Sequence, residues 1–258
     1  MTLFKPGSNG NIPAIEFPTN LPLLTVADQV VFPTAIVPIH ITDPAEVILL
    51  EETVMGHKLV VLLTLKEPRA NDTGLDNAYE IGAIGRVMQF QRQPDDSANA
   101  LIQALKRCRV EKLIQREPYR VVRIKPLDDI EGELDDIAPL AATVKRQMAR
   151  LIALSPNIPD TAQAVIDHIE DPGFLTDLVA TNLNLSVPEK QRLLAENDRK
   201  RRLERLTYIL AREIEMMELS DKIQSDVRSA IDKNQREFFL RQQLRAIQRE
   251  LGESDESS

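Results

Sequence analysis

The sequence holds a single cysteine, Cys108, so no intrachain disulfide can form, a usage that fits a reducing cytoplasm. Its three histidines, His40, His57 and His168, are scattered without metal-ligand spacing, and none lies near Cys108 in sequence to activate it as a nucleophile. Residues 1–20 contain Lys5 with several Gly, Asn and Pro, and lack the apolar core of a signal peptide. The longest apolar stretch, Leu59–Leu65, is far short of the roughly 20 residues that a membrane-spanning helix needs. Gly-x-x-x-x-Gly-Lys-Ser/Thr is missing, and so is Gly-x-Gly-x-x-Gly, which excludes the familiar phosphate-binding loops. Tryptophan is absent and aromatic residues make up only 4%. With a net charge of −8, this leaves no interleaving of basic and aromatic side chains and argues against nucleic acid as the partner. No carboxylate pair is placed for acid–base catalysis and no lysine marks a serine as a nucleophile, so no catalytic residue is assigned.

What is present is a core-forming composition, 43% apolar over 258 residues, enough for two units. Residues 1–20 read as a flexible lead-in. Val30-Val31-Phe32 and Ile36-Val37-Pro38-Ile39 are short β-branched runs broken by Pro33 and Pro38. Asp43-Pro44-Ala45-Glu46 starts a helix, with Asp43 as cap, Pro44 in the first turn and Glu46 at the capping-box position, and Gly56 ends it. Leu59–Leu65 reads as a strand buried on both faces. Residues 66–79 form a loop. Glu80–Gln93, Ala100–Leu105, Arg109–Ile114 and Tyr119–Ile124 complete a mostly antiparallel β unit over 21–127. Gly82 and Gly85, inside the first of these, fit a Gly-x-x-Gly nucleic-acid loop in spacing alone and are assigned to the sheet.

The acidic run Asp128–Asp136 reads as a solvated linker at 128–136. Helical periodicity takes over in a subdomain at 137–185: Leu140, Val144, Met148 and Leu151, then a helix capped by Asp160, then one opened by Asp171-Pro172. From Ser186, a capping-box residue, no Gly or Pro after Pro188 in the first turn interrupts the chain until Gly252, which predicts one helix over 186–252 with a tail at 253–258. Its apolar residues alternate threes and fours as in a coiled-coil seam, and Asn234 and Gln235 interrupt it. Arg199-Lys200-Arg201-Arg202 is the one basic cluster, read as a solvated helix face neutralised by Glu196, Asp198 and Glu204.

Several stretches resemble one family. Leu21-Pro22-Leu23-Leu24 with Val30-Val31-Phe32-Pro33, then Glu80–Val87, is similar to the β part of Lon protease N-terminal regions. Asp171-Pro172-Gly173-Phe174-Leu175 and Lys190–Leu194 are similar to the helical part, and Lys233–Gly252 resembles the segment leading into that family's AAA+ ATPase module. Lys106 departs from the family pattern, which usually has a glycine before the arginine, here Arg107. The resemblance implies an α+β architecture, a PUA-like β domain followed by a helical bundle with one very long helix. It also implies a place ahead of the motor in a homo-hexameric cytoplasmic protease that unfolds damaged or short-lived proteins with ATP and Mg and cleaves them with a Ser–Lys dyad. Cofactors and catalysis then belong to the parent protein, and this region binds unfolded or damaged proteins and its own copies. The alternatives are a PUA-like nucleic-acid binder and a stand-alone coiled-coil scaffold.

A receptor for unfolded chains needs exposed apolar surface of its own. On the β unit, the Val31, Phe32 and Pro33 edge with Met88 and Phe90 is the expected docking surface. On the long helix, Met216, Met217, Phe238, Phe239 and Leu240 are expected to meet substrate or neighbouring subunits, because thioether side chains adapt to varied partners and adjacent phenylalanines cannot share one stripe.

Overall fold

The structure, a computed structural model, describes residues 16–67, 75–155 and 161–250. Residues 1–15 of the expected lead-in, the Asp160 cap and the tail at 253–258 lie outside them. Two compact units form. One comprises the described residues up to Ala142 together with His168–Leu206, and the other Thr143–Asp167 together with Thr207 onwards.

The first unit is built on six strands: β1 (Asn20–Val26), β2 (Ile36–Ile41), β3 (Leu59–Thr64), β4 (Ile81–Arg92), β5 (Ala98–Gln115) and β6 (Val121–Pro126). They are ordered β2-β5-β4-β3-β1-β6, and β6 also pairs with β5, so five strands close on themselves and β2 stays at an edge. Among these six strands only β1 and β3 run parallel to each other; the other strand pairs are antiparallel. The two strands expected at 100–105 and 109–114 are one 18-residue strand, β5. Register shifts against β4 and β6 explain how so long a strand bends: each bulge adds local twist, and β5 can pair with β2 along its first half and β6 along its second. All six residues of β3 are buried. Val60 and Leu62 enter a core cluster with α1 (Pro44–Met55), while Leu59, Val61 and Leu63 enter a second cluster with Leu21, Leu23 and Ile84. At Gly82 a Cβ would lie 2.1 Å from the carbonyl oxygen of Leu62, so the close approach of β4 to β3 requires glycine there.

Asp43 caps α1 by accepting from the Ala45 N–H. Glu46, however, does not close a capping box. Its carboxylate accepts from the backbone and hydroxyl of Thr25 on β1 and from Arg120.

The remaining helices are α2 (Leu134–Leu154), α3 (Thr161–Asp167), α4 (Pro172–Asn182), α5 (Val187–Leu194) and α6 (Arg199–Glu250). The expected single helix over 186–252 is broken at Ala195–Asp198 without Gly or Pro. There the backbone leaves the helical ladder to pair with the acidic segment: Ile130 N–H donates to Asn197 O at 2.9 Å, and Arg199 N–H donates to Ile130 O at 3.2 Å. Asp198 then accepts from the Arg201 N–H and restarts the helix.

This pairing also corrects the readings of the acidic run and the basic cluster. Asp129 is an anchor, not a solvated linker residue, and Arg202 is fully buried. Both Arg202 terminal nitrogens donate to Asp129, at 2.9 and 2.7 Å, and Arg199 Nε donates to the same carboxylate at 3.1 Å. Arg107 on β5 donates to both oxygens of Asp177 on α4 and, through Nε, to the last-turn carbonyl of Leu194 on α5. Lys200 reaches Asp136 at 2.6 Å. Segments distant in sequence therefore meet around the carboxylates of Asp129 and Asp177 and the guanidiniums of Arg107, Arg199 and Arg202.

In the second unit, Val144, Met148, Leu151, Ile152, Ile209 and Leu210 are buried. Gln147 donates to the Thr207 carbonyl, and Arg150 pairs with Glu218 at 2.7 Å. From Glu215 to Arg249 every described residue of α6 is exposed.

Candidate functional site

On the β unit the structure separates the residues expected to act together. Val31 is 3% exposed and Phe32 fully buried, and Pro33 is buried beside them. These three belong to the core and cannot form an open docking edge. The run Val30-Val31-Phe32 is not a strand at all; it packs inward ahead of β2. Phe90 is half-buried against the α1-side core cluster. Met88 alone of the five is well exposed, at 52%, and lies in the bulge between Val87 and Gln89.

Exposed partners for Met88 come instead from β2. Val37 and Ile41 face the core, which turns Ile36, Pro38 and His40 outward. Ile36 is 56% exposed. The register sets Pro38 opposite Leu101 and Leu101 opposite Gln89, one residue from Met88. The result is a shallow face of Ile36, Pro38, Leu101 and Met88 beside the edge strand. Arg86, opposite Gln103 and so in line with Ile36, is exposed and has no ion-pair partner among the described residues. Pro38, which lacks an N–H, is tolerated because β2 lies at the edge. Strict alternation applied to Ile36–Ile41 separates Ile36, Pro38 and His40 from Val37, Ile39 and Ile41; the missing signal was which of the two faces the fold covers.

On the second unit, Met217 sits at the limit of packing, 37% exposed, with the Ser155 hydroxyl 3.6 Å from its sulfur. Met216, Phe238, Phe239 and Leu240 are exposed at 57% or more. Leu219, Ile223, Val227, Ile231, Leu244 and Ile247 continue the unpartnered seam. A soluble helix polar on all sides would need no partner; one that carries a run of large apolar side chains from Met216 to Ile247 does.

No group of three or more His, Cys, Asp or Glu side chains among the described residues is arranged to hold a metal ion. Among the same residues no helix is long and apolar enough to cross a membrane.

The comparisons agree on one family. The chain is 34% identical over 240 residues to the Lon protease of Dictyoglomus thermophilum and 37% identical over 241 residues to that of Chloroherpeton thalassium, matching 93% of this chain in each case. It spans only 30% and 29% of those two proteins. Among solved structures, the N-terminal domain of the Mycobacterium avium complex Lon protease superposes with a TM-score of 0.62 at 19% identity, covering 74% of this chain and 98% of that one. The Lon N-terminal domain protein from Xanthomonas campestris gives 0.52 at 19%, covering 73% and 97%. These two likenesses establish the fold, an α+β arrangement of a mixed six-stranded sheet followed by helices. The model of the ATP-dependent protease La (Lon) substrate-binding domain matches residues 20–212, and the chain belongs to that family.

Proposed function

We propose that this chain captures unfolded or damaged polypeptides for an ATP-dependent cytoplasmic serine protease and helps to assemble its subunits. ATP hydrolysis, Mg binding and Ser–Lys cleavage fall to other parts of the parent protein. The observation that carries the reading is exposed apolar surface, at Ile36 and Met88 on the β unit and along α6 beyond Met217, in a chain whose family model is that of a substrate-binding domain. Unfolded proteins share exposed apolar and aromatic side chains, and burying one such side chain fully is worth about 1.5–3 kcal/mol. A few shallow contacts of this kind give weak, sequence-tolerant binding, which suits a receptor for many substrates.

Capture is tested by the binding of a permanently unfolded model protein to the wild type and to Ile36→Ser/Met88→Ser. Both positions are exposed, so the variant should keep its circular dichroism spectrum and lose most of its affinity. Unchanged affinity would remove this face from the reading. Subunit organisation is tested by sedimentation of Met217→Asp/Phe239→Asp. Self-association should fall while the thermal melt stays close to that of the wild type. A large drop in melting temperature with assembly intact would show that these residues are core and end the assembly reading.

A further inference from the structure

A cavity of about 520 Å³ opens in the first unit between the first turn of α1, the turn at Leu75–Asn77 and the β5–β6 connection. The half-buried Leu75 and Leu113 give it an apolar lining, and Leu23 and Leu49 lie beneath, fully buried. Glu46 stands at its side, 13% exposed. One carboxylate oxygen, Oε1, takes the bonds from the Thr25 N–H, the Thr25 hydroxyl and Arg120, at 3.4, 2.9 and 3.3 Å. Among the described residues Oε2 carries no hydrogen bond, and it is not sealed from solvent. Burial pushes this carboxyl above the ordinary value of 4.5, against the pull of Thr25 and Arg120. Asp43 spends one oxygen on the helix cap, and Asp76 has no ion pair among the described residues. Of the two cations in the lining, Arg120 is engaged by Glu46, and Arg116 is exposed and can swing to solvent.

Acceptors left unused around an apolar lining call for a donor-rich cation on an aliphatic stem. We infer that this cavity receives an arginine or lysine side chain of a bound polypeptide, with the stem against Leu75 and Leu113 and the charged head between Glu46 Oε2 and Asp76. The inference rests on the capture reading above and adds to it a charge preference that the apolar surfaces cannot supply.

The test uses the whole chain and a short fluorescein-labelled apolar peptide with one central arginine, compared by anisotropy with its twins bearing citrulline or glutamate. Citrulline keeps the shape and removes the charge. The arginine peptide should bind about tenfold tighter than the citrulline peptide, as a hydrogen bond to a charged partner warrants. Glu46→Gln should abolish that ratio. Asp76→Asn, at a position that holds no ion pair among the described residues, should reduce it. Equal affinity of wild type for the arginine and citrulline peptides, or tighter binding of the glutamate peptide, would overturn the inference and leave capture standing. Failure to bind any of the peptides or an unfolded protein would overturn capture and this inference together.

Discussion

Arg107 and Asp177 lie 70 residues apart in the chain, yet the guanidinium on β5 and the carboxylate on α4 face each other through two hydrogen bonds, with the side chains only 4 and 5% exposed. Around this pair, Asp129 binds Arg202 through two more, and Arg202 Nε, the one nitrogen of that guanidinium without a hydrogen bond, lies 3.9 Å from Asp177. The junction holds the start of α6 against β5 and α4 by charge where an apolar seam would have been the commoner solution.

Removing one partner of such a cluster leaves buried charge uncompensated. Asp177→Ala removes both carboxylate bonds of Arg107, which keeps the Leu194 carbonyl and Asp129 at 3.7 Å, and leaves Arg202 with Asp129 and the Glu196 carbonyl. The expected loss is about 3–5 kcal/mol, read by urea denaturation. A loss below about 1 kcal/mol would mean that water or neighbouring carbonyls replace the carboxylate, and that the cluster contributes little.

The same junction sets a pH dependence. Burial raises the Asp129 carboxyl, but the guanidiniums of Arg202, Arg107 and Arg199 outweigh it and hold the group below its ordinary value of 3.8. A depressed carboxyl contributes stability that is complete above the unfolded-state value and is lost as pH falls through the folded-state value. Asp129→Asn should therefore melt well below the wild type at neutral pH, and the gap should close as pH drops below about 3.8. A gap independent of pH would show that the amide disrupts packing at this position and that charge is not the cause.

Gly82 gives a steric prediction. A methyl group there meets the Leu62 carbonyl oxygen at 2.1 Å and a Leu63 methyl at 2.6 Å. The neighbour is backbone in the middle of the sheet, so relief requires β3 and β4 to separate. Gly82→Ala should lower the melting temperature strongly, by several times the ~2–4 °C per kcal/mol typical of a unit of this size. A near-native melt would mean that β3 and β4 part at little cost.

Cys108, fully buried on β5, has its thiol pushed up to about 12 by burial. The reactive thiolate is thus scarce at neutral pH. Native protein should leave a thiol reagent such as dithiobis-nitrobenzoate unreacted over a period in which urea-unfolded protein reacts completely. Fast reaction in the native state would show that β5 opens locally.

Local features were legible without the fold because they depend on neighbours in sequence. Asp43 and Asp171 cap helices because a short acceptor beside a proline in the first turn serves the nearest free N–H. Leu59–Thr64 reads as a doubly buried strand because six apolar or β-branched residues in a row have no polar face to expose. The exposed seam of α6 follows from helix length against domain size. The family, too, was legible from short motifs, since each carries residues that suit one backbone path.

Only the tertiary structure decided the rest, because each remaining question concerned partners far away in the chain. Val31 and Phe32 look like a strand edge in sequence; Val31 is buried in the cluster that the sheet forms with α1, and Phe32 is fully enclosed beside it. Ile36 and Val37 differ by one step of alternation, and the pairing of β2 with β5 chose which faces out. The helix from Ser186 has no local reason to stop at Ala195; it stops because the backbone at Ile130 takes over its hydrogen bonds. Asp129 and Arg202 each looked like one charge in a solvated run. They are withdrawn from solvent because their partners, 73 residues apart, cancel a desolvation cost that neither could bear alone.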